Sequence, residues 1–290
     1  MSQESSYSVE AVASVALEDV AAELGVETPA PNVQAPVGAR RVAALGEALS
    51  ASLAELTKAI PVGENVRTLD AQPAFHDLLK VSALKRTLQM DPRFHLLGQV
   101  VQREGGHRVR KALDAVDRAQ VALKAGDIRS LGAFKGELGE ALDTLSSAAR
   151  DAHRRLVASE QRVLAEVAAQ SLQDLGYDFA VKERPDGLLV RGLRQDLSVA
   201  VRITRDVEVH MDTAGFEGQA CAADIAKLEA AMAKHGVQLT IKQRIMHRRP
   251  EGGNLMRSCK EDTGWTFNPL SSTTRRRARR ASAAKRHQHA

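Results

Sequence analysis

Four side chains that could do chemistry fall in one short stretch: His210, Asp212, Glu217 and Cys221. A carboxylate can take a proton, a histidine can carry one, and a thiolate near a helix start can attack an electrophile. Residues 212–215, Asp-Thr-Ala-Gly, also spell a tetrapeptide that can follow a strand and hold magnesium beside a γ-phosphate. That use needs a glycine-rich loop with Gly-Lys-Ser or Gly-Lys-Thr, so that backbone amides and a lysine cradle the phosphates. The chain contains neither, and no Asn-Lys-x-Asp to recognise guanine. The stretch therefore reads as a strand-to-helix turn, with Phe216 plugging the core and Glu217 near the positive end of a helix. An enzyme or small-ligand-binding module around residues 210–221, using Asp212, Glu217 and Cys221 at the helix mouth, is the alternative function.

His210, Cys221, His235, His247 and Cys259 carry the right atoms for zinc, but the spacing is wrong. No C-x-x-C and no H-x-x-x-H puts two ligands on one turn. No metal and no cofactor is expected, and Cys221 reads as a small buried core residue. A nucleophilic Cys221 would need His210 or His247 beside it in space.

Charge points elsewhere. The chain has a formal net charge of +5, but Arg275, Arg276, Arg277, Arg279, Arg280, Lys285 and Arg286 follow Leu270 with no acidic residue among them. Residues 1–270 then hold 34 basic against 36 acidic side chains. Lys242, Arg244, Arg248 and Arg249 add to this end, so that residues 242–290 carry 13 basic and 3 acidic residues. Trp265 and Phe267 sit between the two basic clusters and could stack bases. The pattern fits non-specific contact with a DNA or RNA backbone, and nothing in it reads bases.

The elements that must position these residues come from periodicity. Residues 8–24 place Val9, Val12, Ala16, Val20 and Leu24 on one helical stripe, ending at Gly25. A helix-turn-helix start is excluded by the three prolines that follow. Residues 1–38 are thus expected to be an amphipathic helix, a docking segment or a frayed end, with a Pro-rich linker. Residues 39–175 read as a helical domain, with helices over about 39–59, from Pro73, and from Pro92 to Gly105-Gly106. Its last part, 107–175, lacks proline and is broken only near Gly126-Asp127. Leu138, Leu142, Leu145, Ala149, Ala152 and Leu156 alternate four- and three-residue steps there, the seam of an antiparallel coiled-coil hairpin. Gly132, Gly136 and Gly139 either weaken the start of the long helix or let another helix approach closely.

At Gly176 the period falls to two. Four short segments separated by "PDG", "RQD" and "TRD" read as an antiparallel meander, followed by a helix over 217–236 and a last strand over 237–245. Residues 176–249 are expected to form a small α+β domain, and 250–290 a disordered basic tail. The fold class is mainly α with a small α+β domain.

At 290 residues, with 43 % hydrophobic but 3 % aromatic content, the chain can bury a core built from small and aliphatic side chains. No apolar run approaches the roughly 18 residues of a membrane span. The N-terminus lacks a signal peptide, and two cysteines make no disulfide framework. A bacterial cytoplasmic location follows. The leading expectation is a non-enzymatic adaptor or scaffold. It would self-associate or bind a protein partner through helices 107–175, and contact nucleic acid through its basic C-terminus.

Overall fold

The computed structural model describes residues 4–27, 34–36, 54, 73–90, 92–125, 131–217, 220–247 and 253–267. Two compact units divide the chain: Leu17–Leu156, and a second built from Met1–Ala16 together with Val157–Ala290. The architecture is helix-rich with a six-stranded antiparallel sheet, an α+β mixture.

The helical unit contains α1 (Leu17–Leu24), α2 (Pro73–Met90), α3 (Pro92–Lys124) and the first part of α4 (Lys135–Asp174). Leu24 and Gly25 end α1 with carbonyls that no further turn can satisfy. Arg103 of α3 supplies the missing donors, at 2.9 and 3.1 Å. Helices α2 and α3 run antiparallel, tied by Lys85–Asp117 and by Gln120 to Ser82 at 2.8 Å. Their shared core takes Phe75, Leu78 and Val81 from α2 and Val100, Val109, Val116 and Leu123 from α3.

Seam residues Leu138, Leu145 and Ala152 of α4 are buried in the same core, and Leu142 and Ala149 pack against it. Ion pairs Arg118–Glu137 at 2.7 Å and Arg155–Glu104 at 2.6 Å set α3 and α4 antiparallel. The expected interruption at Gly106 is real, since its backbone leaves the helical region at φ 50°, ψ −130°. The long helix begins at Lys135, after a 3-10 turn over Gly132–Phe134. A side chain at Gly132, Gly136 or Gly139 would meet nothing within 4 Å. These glycines therefore loosen the helix start rather than admit a neighbour. The helix expected over 39–59 lies outside the described residues except for Ala54.

The sheet unit corrects the reading of the N-terminus. Residues 8–24 are not one helix: Glu4–Ala16 is strand β1, and only Leu17–Leu24 is helical. The stripe through Val9, Val12 and Ala16 competes with a second pattern, in which Tyr7, Val9, Ala11, Ala13 and Val15 alternate with Ser6, Ser8, Glu10 and Ser14. The second pattern wins because β1 is paired on both sides. It lies between β5 (Glu208–Ala214) and β6 (Gln238–His247), antiparallel to each. With β2 (Asp178–Arg184), β3 (Gly187–Arg194) and β4 (Leu197–Thr204), the order across the sheet is β6-β1-β5-β4-β3-β2. The expected meander forms as β2 to β5, and the chain's first strand completes the sheet.

Alternation gives the sheet two faces. One carries Val9, Ala11, Val190, Val201, Met211 and Gly192. Gly192 lies against Leu172 of α4 and the Tyr177 Cβ, and Tyr177 hydrogen-bonds Asp224 of α5 (Ala220–Lys234), so both helices cover this face. Cys221, Ile225, Leu228 and Met232 of α5 are buried. The other face carries Leu189, Ala200, Asp212 and Ala214, and is partly covered by α6 (Asn254–Glu261).

Helix α6 is a second correction. Residues from 250 onward had no visible period, yet 253–267 are folded: Met256 and Cys259 join a core with Leu189, Ala200 and Ala214. Eight residues are too few to show periodicity against a charged background. Residues 250–252 and 268–290 of the expected tail lie outside the described residues.

Candidate functional site

Asp212 is the pivot of the second sheet face. Its side chain is 1 % exposed, and it accepts four hydrogen bonds. Oδ1 takes the Ser8 hydroxyl and the backbone N–H of Thr213 and Gly253, and Oδ2 takes the N–H of Met256, all at 3.0 Å. A buried carboxylate is tolerated only when donors replace its water in this way. Two of these donors, at Gly253 and Met256, lie at the N-terminal end of α6 and would have no partner within the helix. The carboxylate thus seats α6 on the sheet. Glycine at 253 is required by the close approach, because a β-carbon would lie 2.5 Å from Asp212 Oδ2 and 2.6 Å from Ser8 Oγ.

The Ser8 hydroxyl also lies 2.8 Å from His247 Nε2. A serine beside a histidine is the pairing a nucleophile and its base would use. Proton bookkeeping reverses the roles here. An ionised carboxylate only accepts, so the one Ser8 proton goes to Asp212, and His247 Nε2 donates to Ser8. Asp212 orients the serine rather than the histidine, and the chain Asp212–Ser8–His247 does not have the order of a catalytic triad.

Ser8, His247 and Asp212 border an open cleft of about 670 Å³ on this face. Arg202 of β4 and His210 of β5, directly opposite each other in the ladder, lie along it. Asn254 and Arg257 of α6 and Ile245 of β6 also line it. Burial, and then the positive charge of Arg202, hold the His210 imidazole below the ordinary histidine range. Glu10 at 3.6 Å and Glu208 at 3.9 Å partly oppose that shift.

Residues 262–267 continue from α6 across β2 and β3. Asp262 pairs with Lys182 at 2.6 Å and with Arg184. The Lys182 hydrogen bond, with Arg184 beside it, holds the Asp262 carboxyl below the usual range. Trp265 packs on Lys182 and Arg191, donates its indole N–H to the Cys259 carbonyl, and stacks on Phe267 with centroids 6.5 Å apart. The two rings expected to stack bases are engaged within the protein. Burial pushes the Cys259 thiol up to about 11.

The structure separates the residues of the alternative site. Asp212 faces α6, whereas Cys221 is buried under α5 on the opposite face, because successive strand residues and the crossover helix take opposite sides. The backbone of Glu217 pairs with Glu4 of β1, and its side chain lies outside the described residues. Residues 212–214 are strand rather than turn. Gly215, at φ 84°, interrupts β5, and Phe216–Glu217 resume pairing with β1. A side chain at 215 would run into the Asp196 carbonyl oxygen. His235 bonds Asp174 at 2.7 Å, away from the cleft.

The basic set is also redistributed. A β-bulge opposite Glu10 and Ala11 lets Lys242 reach Glu208 of β5 while Arg244 reaches Glu229 of α5 at 2.8 Å. Both are spent on carboxylates, and the Lys242 contact holds Glu208 below the usual range. Arg248, Arg249, Arg275, Arg276, Arg277, Arg279, Arg280, Lys285 and Arg286 lie outside the described residues.

Among the described residues, no group of three or more His, Cys, Asp or Glu side chains could hold a metal ion. Both cysteines are buried, and neither forms a disulfide. No described helix is long and apolar enough to cross a membrane. No protein-family model matches the sequence, and no curated protein matches it. Sequence reasoning overlooked Ser8 and the pairing of His247. The alternation of Ser6, Ser8 and Glu10 with Tyr7, Val9 and Ala11 was the signal that could have found them.

Proposed function

We propose that this protein is a non-enzymatic cytoplasmic adaptor that binds a nucleic-acid backbone without sequence preference through its basic C-terminal arm. One observation carries the reading: residues 253–267 are fastened across the sheet by Asp212, Asp262 and Trp265. Arg275 follows the fastened Phe267 by only eight residues in the sequence, and a short tether to a fixed point lowers the ordering cost of each phosphate contact. Since Lys242 and Arg244 are already paired, the contacts fall to Arg248, Arg249 and the seven basic residues after Leu270.

In this reading α3 and α4 form a coiled-coil hairpin that takes a protein partner or a second copy of the chain. The test is duplex DNA and RNA binding by the full chain and by residues 1–270 across a salt series. A steep salt dependence, with about 0.9 in slope per phosphate contact on duplex DNA, is expected for the full chain and not for the truncation. Equal binding by both chains would move the function out of the arm.

A further inference from the structure

The cleft beside α6 combines groups that the adaptor reading does not use. Arg202 makes one hydrogen bond to Asp186 at 3.3 Å, while its Nε is buried and donates to no protein acceptor. Arg257, on the exposed side of α6, pairs only with the neutral Asn254 side chain among the described contacts. Of the acids nearby, Asp212 is filled by four donors and Glu208 pairs with Lys242, while Glu10 lies 3.6 Å from His210 on the same wall. The cleft thus offers two guanidinium groups from different elements, Arg202 paired with Asp186 and Arg257 beside a neutral amide.

We propose that this cleft binds a small organic phosphate, its phosphoryl group held between Arg202 and Arg257 and its organic body against Ile245 and Leu255. A planar carboxylate satisfies one guanidinium face to face, whereas the three terminal oxygens of a phosphate monoester accept from donors on separate walls. The volume of about 670 Å³ exceeds what a bare phosphate fills and lies within the range of small-ligand sites. Ile245 is 38 % exposed, an apolar wall open to the body of the ligand. His210 and His247 border the site and report on it. Burial is the main cause of the lowered His210 value, and the smaller part that comes from the Arg202 charge would be cancelled by a bound dianion, raising the histidine's proton affinity.

The test uses the full chain, titrated with inorganic phosphate, adenosine 5′-monophosphate and glucose 6-phosphate while the His210 and His247 ring signals are followed by NMR. At least one ester should shift His210 at about 1 mM or below, a usual affinity for a small charged ligand. Arg202→Gln and Arg257→Gln should each weaken that binding by about tenfold or more. If Arg202→Gln lowers the far-UV signal of the folded state, Arg257→Gln, on an exposed helix position, decides alone. No shift of either histidine by any of the three compounds would overturn the proposal, as would a shift that survives both substitutions. Adenosine is titrated as the control, and its binding as tightly as its monophosphate would remove the phosphoryl group from the argument. Inorganic phosphate binding as tightly as both esters would remove the organic body. Arg248 and Arg249 follow His247 directly in the sequence, so the His210 signal, distant from them along the chain, is the one that distinguishes failure of the cleft from phosphate held by the basic arm.

Discussion

The backbone N–H of Met256 donates to Asp212 Oδ2 across 3.0 Å, joining the last described helix to the middle of the sheet. With Gly253 on the other carboxylate oxygen, this one side chain holds the start of α6 in place of a cap from its own segment. An Asp212→Ala substitution leaves these amides and the Ser8 hydroxyl without their acceptor. It should cost about 2–3 kcal/mol, the scale of orphaned buried donors. Hydrogen exchange is the sharper readout: the Met256 amide should lose protection while β3 and β4 keep theirs. Unchanged protection at Met256 would mean that α6 is held by its apolar contacts alone.

Gly253 should tolerate no side chain. Gly253→Ala forces a methyl onto Asp212 and Ser8, and overpacking of this kind costs about 1–3 kcal/mol. Urea midpoints of the two proteins measure it, and a variant as stable as wild type would show that α6 can lift without loss.

Trp265 is the chain's one tryptophan and sits on Lys182 and Arg191, so its emission reports whether residues 262–267 are fastened. Asp262→Asn should move that emission to the red. The sign with pH follows from the lowered Asp262 value: its contribution is fully present above the unfolded value of 3.8 and is lost as pH falls through the folded one. Wild-type emission should therefore hold steady above about pH 4 and change only below it, while Asp262→Asn shows no such transition. A variant with wild-type emission and acid response would detach Asp262 from this role.

His210 should give a second, separate pH effect. Its folded value is lowered, so below the ordinary value of 6.5 the unfolded chain takes up the proton first and stability drops. The loss levels off once the folded state is protonated too. The groups facing it are Arg202, Glu10 and Glu208, and the carboxylates keep the effect moderate. Denaturation at pH 5 and pH 7.5 should show a larger drop for wild type than for His210→Gln. Equal drops in the two would place the titrating group elsewhere.

How much of this was legible depended on where each element finds its partners. Strands β2 to β5 are neighbours in sequence and in the sheet, so alternating side chains and turn residues identify them locally. The residues of β1 alternate equally well, but their small alanines also fit a helix. What decides is pairing with residues 208–212 and 238–247, far along the chain. The type of Asp212 is visible in the sequence, but the four donors that occupy its carboxylate come from β1, β5 and the start of α6. The same long-range assembly sends Cys221 to the opposite face and brings in Ser8 and His247, which no local spacing connects.

The position of β1 in the sheet has a consequence for how the protein is made. On the ribosome β1 emerges ahead of β5 and β6, and roughly 200 residues must follow before β5 can pair with it. At about 5–20 residues per second that is an interval of about 10–40 s, during which β5 and β6 are not yet there to pair with it. The helical unit, encoded in between, can fold in this interval. Ser6, Ser8, Glu10 and Ser14 make one side of the waiting strand polar, which limits its pairing with other nascent chains.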